Sequence, residues 1–202
     1  MRLHEARRDL YRRLAKEQGY KSRAAFKLIE ANEKYEFIQG GDYVVDFGAA
    51  PGGWLQVCSD LVGPSGRVVG VDLHEIHLKE KGVRMLVMDV NDPKVAEKVV
   101  AELSGQADVV LSDLAPSVSG VWELDQSLQA DLTLRVMELS EVILKRQGCA
   151  FFKLFEGGRS REVRDEFRRR FASIRPLKPA ASRSASSELY YYCEGWVGKV
   201  KS

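Results

Sequence analysis

Alternating apolar runs and helix-compatible stretches predict an α/β fold, a mostly parallel sheet doubly wound with helices on both faces. Three observations carry that expectation. Strand-length apolar segments recur from residue 43 onward, and helix-length stretches separate most of them. The first, Tyr43-Val44-Val45, runs into Asp46-Phe47-Gly48-Ala49-Ala50-Pro51-Gly52-Gly53-Trp54, a glycine-rich turn ahead of a helix-compatible stretch. Four segments close on an aspartate: Asp46, Asp72, Asp89 and Asp113. The carboxyl ends of parallel strands face the ligand crevice. Each aspartate alone would serve as a turn or cap residue; four in series argue for one site.

In chain order, Arg2 to Gln18 reads as a basic helix with an apolar stripe at Leu3, Leu10 and Leu14, stopped by Gly19. Ser22 is a candidate cap for a second helix, Arg23 to about Tyr35. Gly40-Gly41 breaks the chain before the first strand. After the glycine-rich turn, a helix over Leu55 to Leu61 and a loop through Gly63-Pro64-Ser65-Gly66 lead to a strand over Arg67 to Val71, ending at Asp72. Val83 to Met88 is a third strand, ending at Asp89, and Asp92-Pro93 has the cap-then-proline form of a helix start. Asp108 to Ser112 is a fourth strand, leading into Asp113-Leu114-Ala115-Pro116. A loop through Gly120 and Trp122 precedes a long helix, about Leu124 to Arg146, stopped by Gly148. Cys149 to Lys153 is a fifth strand, apolar on both faces until Lys153. Arg159 to Phe171 is a basic helix, and Ser173 to Leu177 and Leu189 to Val197 are the last strands. The 202 residues suit one domain, a basic helical segment (1–38) ahead of an α/β core (39–202).

Composition narrows the function class. No apolar run approaches the ~18 residues of a membrane span, and the charged amino terminus has no secretory h-region. Cys58, Cys149 and Cys193 are scattered, as befits free thiols in a cytoplasmic protein. His74 and His77 have helix-turn spacing but no further ligands to make a metal site, so no metal is expected. The net charge is +2, unevenly placed: residues 1–30 carry nine Lys/Arg against four Asp/Glu, and residues 159–183 nine against three. Two basic segments flanking an acidic middle fit a polyanionic partner, and nucleic acid is favoured over solvated helix faces. Lys21, Arg23 and the amino-terminal arginines, Arg168-Arg169-Arg170 and Arg183 are the candidate RNA contacts.

The glycine-rich turn has neither G-x-G-x-x-G nor the Lys-Ser/Thr of a phosphate loop, which argues against a pyrophosphate and against a nicotinamide oxidoreductase. Its glycines, Gly48, Gly52 and Gly53, would let backbone approach a ligand. The Asp46 carboxylate suits a ligand with an amine or a positive centre, as S-adenosylmethionine has. Asp72, about two dozen positions past the first glycine, stands where ribose hydroxyls are gripped.

Five motifs in order resemble those of the FtsJ/RrmJ family of S-adenosylmethionine-dependent RNA ribose 2′-O-methyltransferases, along nearly the whole chain. They are Ser22-Arg23-Ala24-Ala25-Phe26-Lys27-Leu28, Val45 to Trp54, Ser112-Asp113-Leu114-Ala115-Pro116, Phe152-Lys153-Leu154-Phe155, and Ser182-Arg183-Ser184-Ala185-Ser186-Ser187-Glu188. The resemblance implies a Rossmann-like methyltransferase fold with seven strands, the last antiparallel. It implies a catalytic tetrad at Lys27, Asp113, Lys153 and Glu188, and cofactor contacts at Gly52, Trp54, Asp72, Asp89 and Asp113. It implies a uridine ribose of large-subunit ribosomal RNA in the assembled subunit as substrate, for a chain expected to act as a monomer. Transfer RNA, or a non-catalytic role in ribosome assembly, are the alternatives. The loop from Val118 to Asp125, with Trp122, departs from the family's bacterial pattern near where a substrate base should sit.

The residues suit the chemistry. Methyl transfer to a ribose hydroxyl needs in-line geometry, a group to orient or take the hydroxyl proton, and exclusion of water. A lysine is a poor base in water, with a reference pKa of ~10.4; a second amine and burial favour its neutral form. Lys153 is the expected base, Lys27 its electrostatic partner, and Asp113 and Glu188 the anchors. A lysine closing an apolar strand calls for such a reason. Trp122 or Tyr190 would stack on a base or simply pack.

Overall fold

In the computed structural model, which describes residues 3–182 and 186–198 and side chains from Leu10 onward, the amino-terminal segment forms two helices. These are α1 (Leu3–Glu17) and α2 (Ala25–Tyr35). Then follow β1 (Tyr43–Phe47), α3 (Gly53–Val62), β2 (Arg67–Asp72), β3 (Val83–Val87), α4 (Val95–Leu103), β4 (Ala107–Ser112), α5 (Trp122–Ile143), β5 (Leu144–Phe155), α6 (Ser160–Arg170), β6 (Phe171–Leu177) and β7 (Glu188–Trp196). One seven-stranded sheet has the order β3-β2-β1-β4-β5-β7-β6. β7 runs antiparallel to both neighbours, β5 and β6; the pairs among β1 to β5 are parallel. The predicted fold class holds, and the order reverses beside β1, opening a crevice at the carboxyl ends of β1 and β4.

The core lies on both faces of the sheet. Leu28 and Ala31 of α2 and Leu55 and Cys58 of α3 cover one face, over Val44, Val109, Leu111 and Phe151. Val99 of α4, Val136 and Ile143 of α5 and Phe167 of α6 cover the other, over Val45, Val110, Ala150 and Phe152. Consecutive strand residues point to opposite faces, which is why these strands are apolar throughout. Each large side chain so buried contributes roughly 1.5–3 kcal/mol.

Several boundaries differ from the expectations. Ser22 does not cap α2: the helix begins after Ala24 with no side-chain cap, and the Ser22 hydroxyl is buried without a partner. Asp92 accepts the Lys94 amide at 2.8 Å, but in a turn, and α4 starts later, at Val95. The long helix ends at Ile143, and Gly148 lies inside β5 where its register with β4 slips, Ala107 facing Leu144 and Val109 facing Cys149. That glycine serves a bulge rather than a helix stop. A Cβ there would lie 3.0 Å from the Asp108 carbonyl oxygen.

Candidate active site

Alternation along four strands brings the polar groups to one place. Asp46 shares its face with Val44, Asp113 with Leu111, Lys153 with Phe151, and Glu188 and Tyr190 with Tyr192. All belong to the face covered by α2 and α3. The register completes the arrangement: Ser112 pairs with Phe152 and Lys153 with Tyr190, so Asp113, Lys153 and Tyr190 stand side by side. α2 lays Lys27 over them.

The hydrogen bonds form one chain. Lys27 Nζ donates to Glu188 Oε1 at 2.7 Å and to the Tyr190 hydroxyl at 2.8 Å. The Tyr190 hydroxyl donates to Asp113 Oδ1 at 2.6 Å. Lys153 Nζ stands 3.1 Å from the same Asp113 oxygen and donates to the Asp113 carbonyl. The four residues expected to act together are therefore gathered, and Tyr190 joins them. Its ring is fully buried and stacked on Phe151, so it is not a seat for a base. The period-two spacing of Glu188, Tyr190 and Tyr192 was the signal for its placement. Burial alone would push the Asp113 carboxyl up, but the Lys153 and Lys27 ammonium groups and the Tyr190 hydroxyl outweigh it and hold it below the usual aspartate range.

Two residues of α5 escaped the sequence reading. Beyond the last β4 pair, β5 needs partners for its backbone. Gln129 donates to the Lys153 carbonyl at 2.8 Å and accepts the Phe155 amide at 3.0 Å. Thr133 donates to the same carbonyl at 3.2 Å. Polar residues inside a helix pattern mark such a contact, but only the fold says what they touch.

The glycine-rich turn wraps the end of β1, with a cis Ala50–Pro51 peptide. Its glycines answer to the chain itself more than to a ligand. Gly48 has φ +81°, and a Cβ on it would lie 2.9 Å from the Leu114 amide nitrogen. One on Gly53 would lie 2.5 Å from Ser22 Oγ. Trp54 is a buried core residue whose indole donates to the Ala24 carbonyl at 2.7 Å, tying α3 to α2; only its backbone is left for a ligand.

Beside this turn opens a cleft of about 750 Å³, lined among others by Gly48, Asp72, Met88, Asn91, Asp113 and Leu114. Asp72 Oδ2 accepts the Ala50 amide at 3.0 Å, and Oδ1 accepts the His74 amide at 2.9 Å, which fixes the carboxylate at the cleft edge. Asp89 stands at the end of β3, exposed, its Oδ1 taken by the Asn91 amide at 2.8 Å. Its neighbours Met88, Val90 and Asn91 line the cleft in its place. Gly52 has φ +108° and packs against Ile76 and Leu78.

Asp46 lies within β1 rather than at its end. It is wholly buried, and neither carboxylate oxygen has a partner. Burial first, and then the Asp113 and Asp72 carboxylates, push its carboxyl well above the ordinary value. A small void beside it is lined by Ser22, Gly53 and Asp113. An orphaned acid beside a polar void fits a cationic ligand group, as the amine and sulfonium of S-adenosylmethionine would supply, and the apolar walls of the larger cleft fit an adenine.

The unpaired carboxyl has a measurable consequence in the ligand-free chain. An acid whose folded pKa is raised costs stability above its unfolded value, near 3.8, and the cost grows as pH rises. Asp46→Asn is expected to raise the unfolding temperature at pH 8 more than at pH 5, while weakening S-adenosylmethionine binding. Thermal unfolding at both pH values checks this, and an equal shift at the two would refute it.

The basic residues divide. Arg168, Arg169 and Arg170 occupy the last turn of α6, which leads into the start of β6, at the edge of the sheet opposite the site. Each is paired: Arg168 with Asp165 at 2.8 Å, Arg169 with Glu166, and Arg170 with Glu141 at 2.5 Å. Any RNA contact at these three would therefore lie away from the reacting centre, and their density in sequence also serves pairing within and beside the helix. Lys21 and Arg23 differ. With Arg12 and Lys16 they line an open cleft of about 520 Å³, one helical turn from Lys27. Arg23 also donates to the Ala181 carbonyl at 3.2 Å. Arg183 lies outside the described residues. Among the described residues no cluster of His, Cys, Asp and Glu is placed to hold a metal ion, and no helix is long and apolar enough to cross a membrane.

Comparison with known proteins agrees with this geometry. Residues 20–196 match the model of the FtsJ-like methyltransferase family. The chain is 43% identical to the ribosomal RNA large subunit methyltransferase E of Nitrosopumilus maritimus, over 98% of this chain and all of that one. It is also 43% identical to the protein of the same name from Methanothermobacter thermautotrophicus, over 98% of this chain and 94% of that one. Among solved structures, one described as a ribosomal RNA methyltransferase of Plasmodium falciparum superposes with a TM-score of 0.78 at 24% identity, covering 89% of this chain and 100% of that one. The fibrillarin pre-rRNA processing protein of Methanococcus jannaschii superposes at 0.56 with 14% identity, covering 81% of this chain and 70% of that one. These two likenesses speak for the fold.

Proposed function

The chain belongs to the FtsJ-like methyltransferase family, and from that premise we propose that it methylates a ribose 2′-hydroxyl of large-subunit ribosomal RNA. Its methyl donor is S-adenosylmethionine. The observation that carries the proposal is Lys153 Nζ, held against Asp113 at the cleft and linked through Asp113 and Tyr190 to Lys27 and Glu188. The full-length relatives named as large-subunit methyltransferases support ribosomal over transfer RNA. The intact polar set supports catalysis over a purely structural role. On the motif resemblance we extend the proposal to a uridine in the assembled subunit. The chain would act as a cytoplasmic monomer and as one domain, with residues 1–38 on the RNA.

Bound S-adenosylmethionine supplies an electrophilic methyl group. Asp72 would accept hydrogen bonds from its ribose hydroxyls, and Asp46 and Asp113 would face its charged end. Leu114, Met88 and Val90 give the cleft apolar walls, and a bound cofactor seated against them would be shielded from water, which strengthens charge interactions there. Lys153 Nζ, once neutral, would accept a hydrogen bond from the 2′-hydroxyl and take its proton as the oxygen bonds the methyl carbon and that carbon's bond to sulfur breaks, with the neutral thioether as leaving group. Asp113 stabilises the ammonium that results. Lys27, anchored by Glu188, adds positive charge beside the developing oxyanion. A cysteine-mediated attack on a base has no group to perform it here: Cys58, Cys149 and Cys193 are buried, and burial pushes each thiol up, that of Cys149 to about 12.

Radiolabelled methyl transfer to total RNA from a strain lacking this chain, followed by mapping, tests the proposal. Label on one large-subunit ribose is expected; label on transfer RNA or on a base would overturn it. RNA should follow the cleft between α1 and α2. Replacing Arg12, Lys16 and Lys21 with alanine is expected to weaken RNA binding and to lower its salt slope by up to about 2, at ~0.7 per phosphate contact on a single strand. The same replacement of Arg168, Arg169 and Arg170 is expected to leave the slope unchanged. Filter binding across a salt series checks both, and the opposite pattern would return the RNA to α6.

A further inference from the structure

Trp122 stands apart from the other tryptophans. Trp54 and Trp196 are 3% and 2% exposed, whereas Trp122, on the first turn of α5, is 46% exposed. Its ring stacks on Phe155, with centroids 5.8 Å apart and planes 28° apart. Phe155 is two residues beyond Lys153 on β5, and Lys153 Nζ lies 5.9 Å from its ring centroid. The two rings therefore extend from the candidate base outward to solvent. Exposed Val121 and Leu124 flank Trp122.

The shelf is fixed before any ligand arrives. Gln129 accepts the Phe155 amide at 3.0 Å. The loop leading to Trp122 is pinned where Asp125 Oδ1 accepts the Ser119 amide at 2.9 Å. A large aromatic surface held out in water loses the stabilisation of burial, and nothing in the fold needs it there.

We propose that Trp122 and Phe155 form a stacking platform for a base of the RNA strand, within one nucleotide of the reacting ribose. The proposal rests on the assignment of RNA as substrate and of Lys153 as the group that meets the 2′-oxygen. A nucleobase is joined to the carbon next to the one bearing that oxygen, so a ribose seated at Lys153 carries its base or its neighbour's across these rings. An extruded or single-stranded base offers its face to an aromatic side chain, and this contact is tolerant of sequence. The two flat apolar ring faces offer no hydrogen-bond donor to a phosphate, which leaves the base as the fitting group. A protein docked on the platform would close the way to Lys153, so the strand is preferred to a protein as its occupant.

The test compares Trp122→Ala, Trp122→Leu and Trp122→Phe with the native chain. Undermethylated large-subunit RNA is supplied free and in assembled subunits, and single-turnover methylation is followed against RNA concentration. The alanine and leucine variants should need about 5- to 150-fold more RNA for half-saturation, the worth of one base stack. Their rates at saturating RNA should change much less. The phenylalanine variant should stay near native, because it keeps a ring. S-adenosylmethionine affinity by calorimetry should be unchanged in all three, as the residue does not line the cofactor cleft. Half-saturation within about twofold of native for the alanine variant would overturn the platform and leave the methyltransferase assignment standing. So would leucine performing as well as phenylalanine, which would show apolar contact without stacking. A native chain that methylates neither preparation would overturn the RNA assignment and the platform with it.

Discussion

Replacing Lys153 with alanine is expected to slow single-turnover methylation by at least ~10²-fold, the usual effect of losing a positioned acid–base group. Cofactor and RNA affinities should change little, because the side chain is 93% shielded against protein groups and other residues form the cleft and the basic groove. Lys153→Arg should not restore the rate. A guanidinium stays protonated and cannot take the 2′-hydroxyl proton. Single-turnover methylation at saturating RNA and cofactor compares the two variants with the native chain. An arginine variant as fast as the native chain would assign Lys153 a purely electrostatic role and move the base elsewhere.

Asp113→Asn is expected to destabilise the folded chain by about 3–5 kcal/mol near neutral pH, as breaking one partner of a buried ion pair does. The substitution removes the anion that faces Lys153, whose side chain is only 7% exposed, while Lys27 keeps its pair with Glu188. The sign with pH follows from the depressed Asp113 carboxyl. Such a group contributes stability above its unfolded value, near 3.8, and the contribution is lost as pH falls through the lower folded value. The difference between native and variant should thus be full at pH 6–7 and shrink in acid. Denaturant unfolding at neutral pH and below pH 4 distinguishes the cases. A difference independent of pH would mean that Asp113 acts by packing and not by charge.

The chemistry of the site was largely legible from the chain. Strand-length apolar runs, four of them ending near an aspartate, indicated the sheet and its candidate ligand side, because side chains alternate and parallel strands all present the same end. Lys153 stood out as a charge in an apolar strand, and the motifs joined it to Lys27, Asp113 and Glu188. The alternation that sets Glu188 and Tyr190 on one face was present in the chain but went unread, and nothing local said that the Tyr190 hydroxyl would bridge Lys27 and Asp113. That bridge depends on β7 running antiparallel beside β5, so that Tyr190 faces Lys153.

Other features required the tertiary structure. Sequence supplies the density of Arg168, Arg169 and Arg170, but not the direction of α6, which carries them to the far edge of the sheet and into ion pairs. It shows Gln129 and Thr133 as polar residues in a helix, but not the unpaired backbone of β5 that they satisfy. It shows Trp122 in a loop, but not its stacking on Phe155 beside Lys153. Local pattern determined the strands and their faces, since these follow from the two-residue period; the motif resemblance supplied the candidate reacting groups. Neighbourhoods made between distant segments were decided by strand order and register, which no local period encodes.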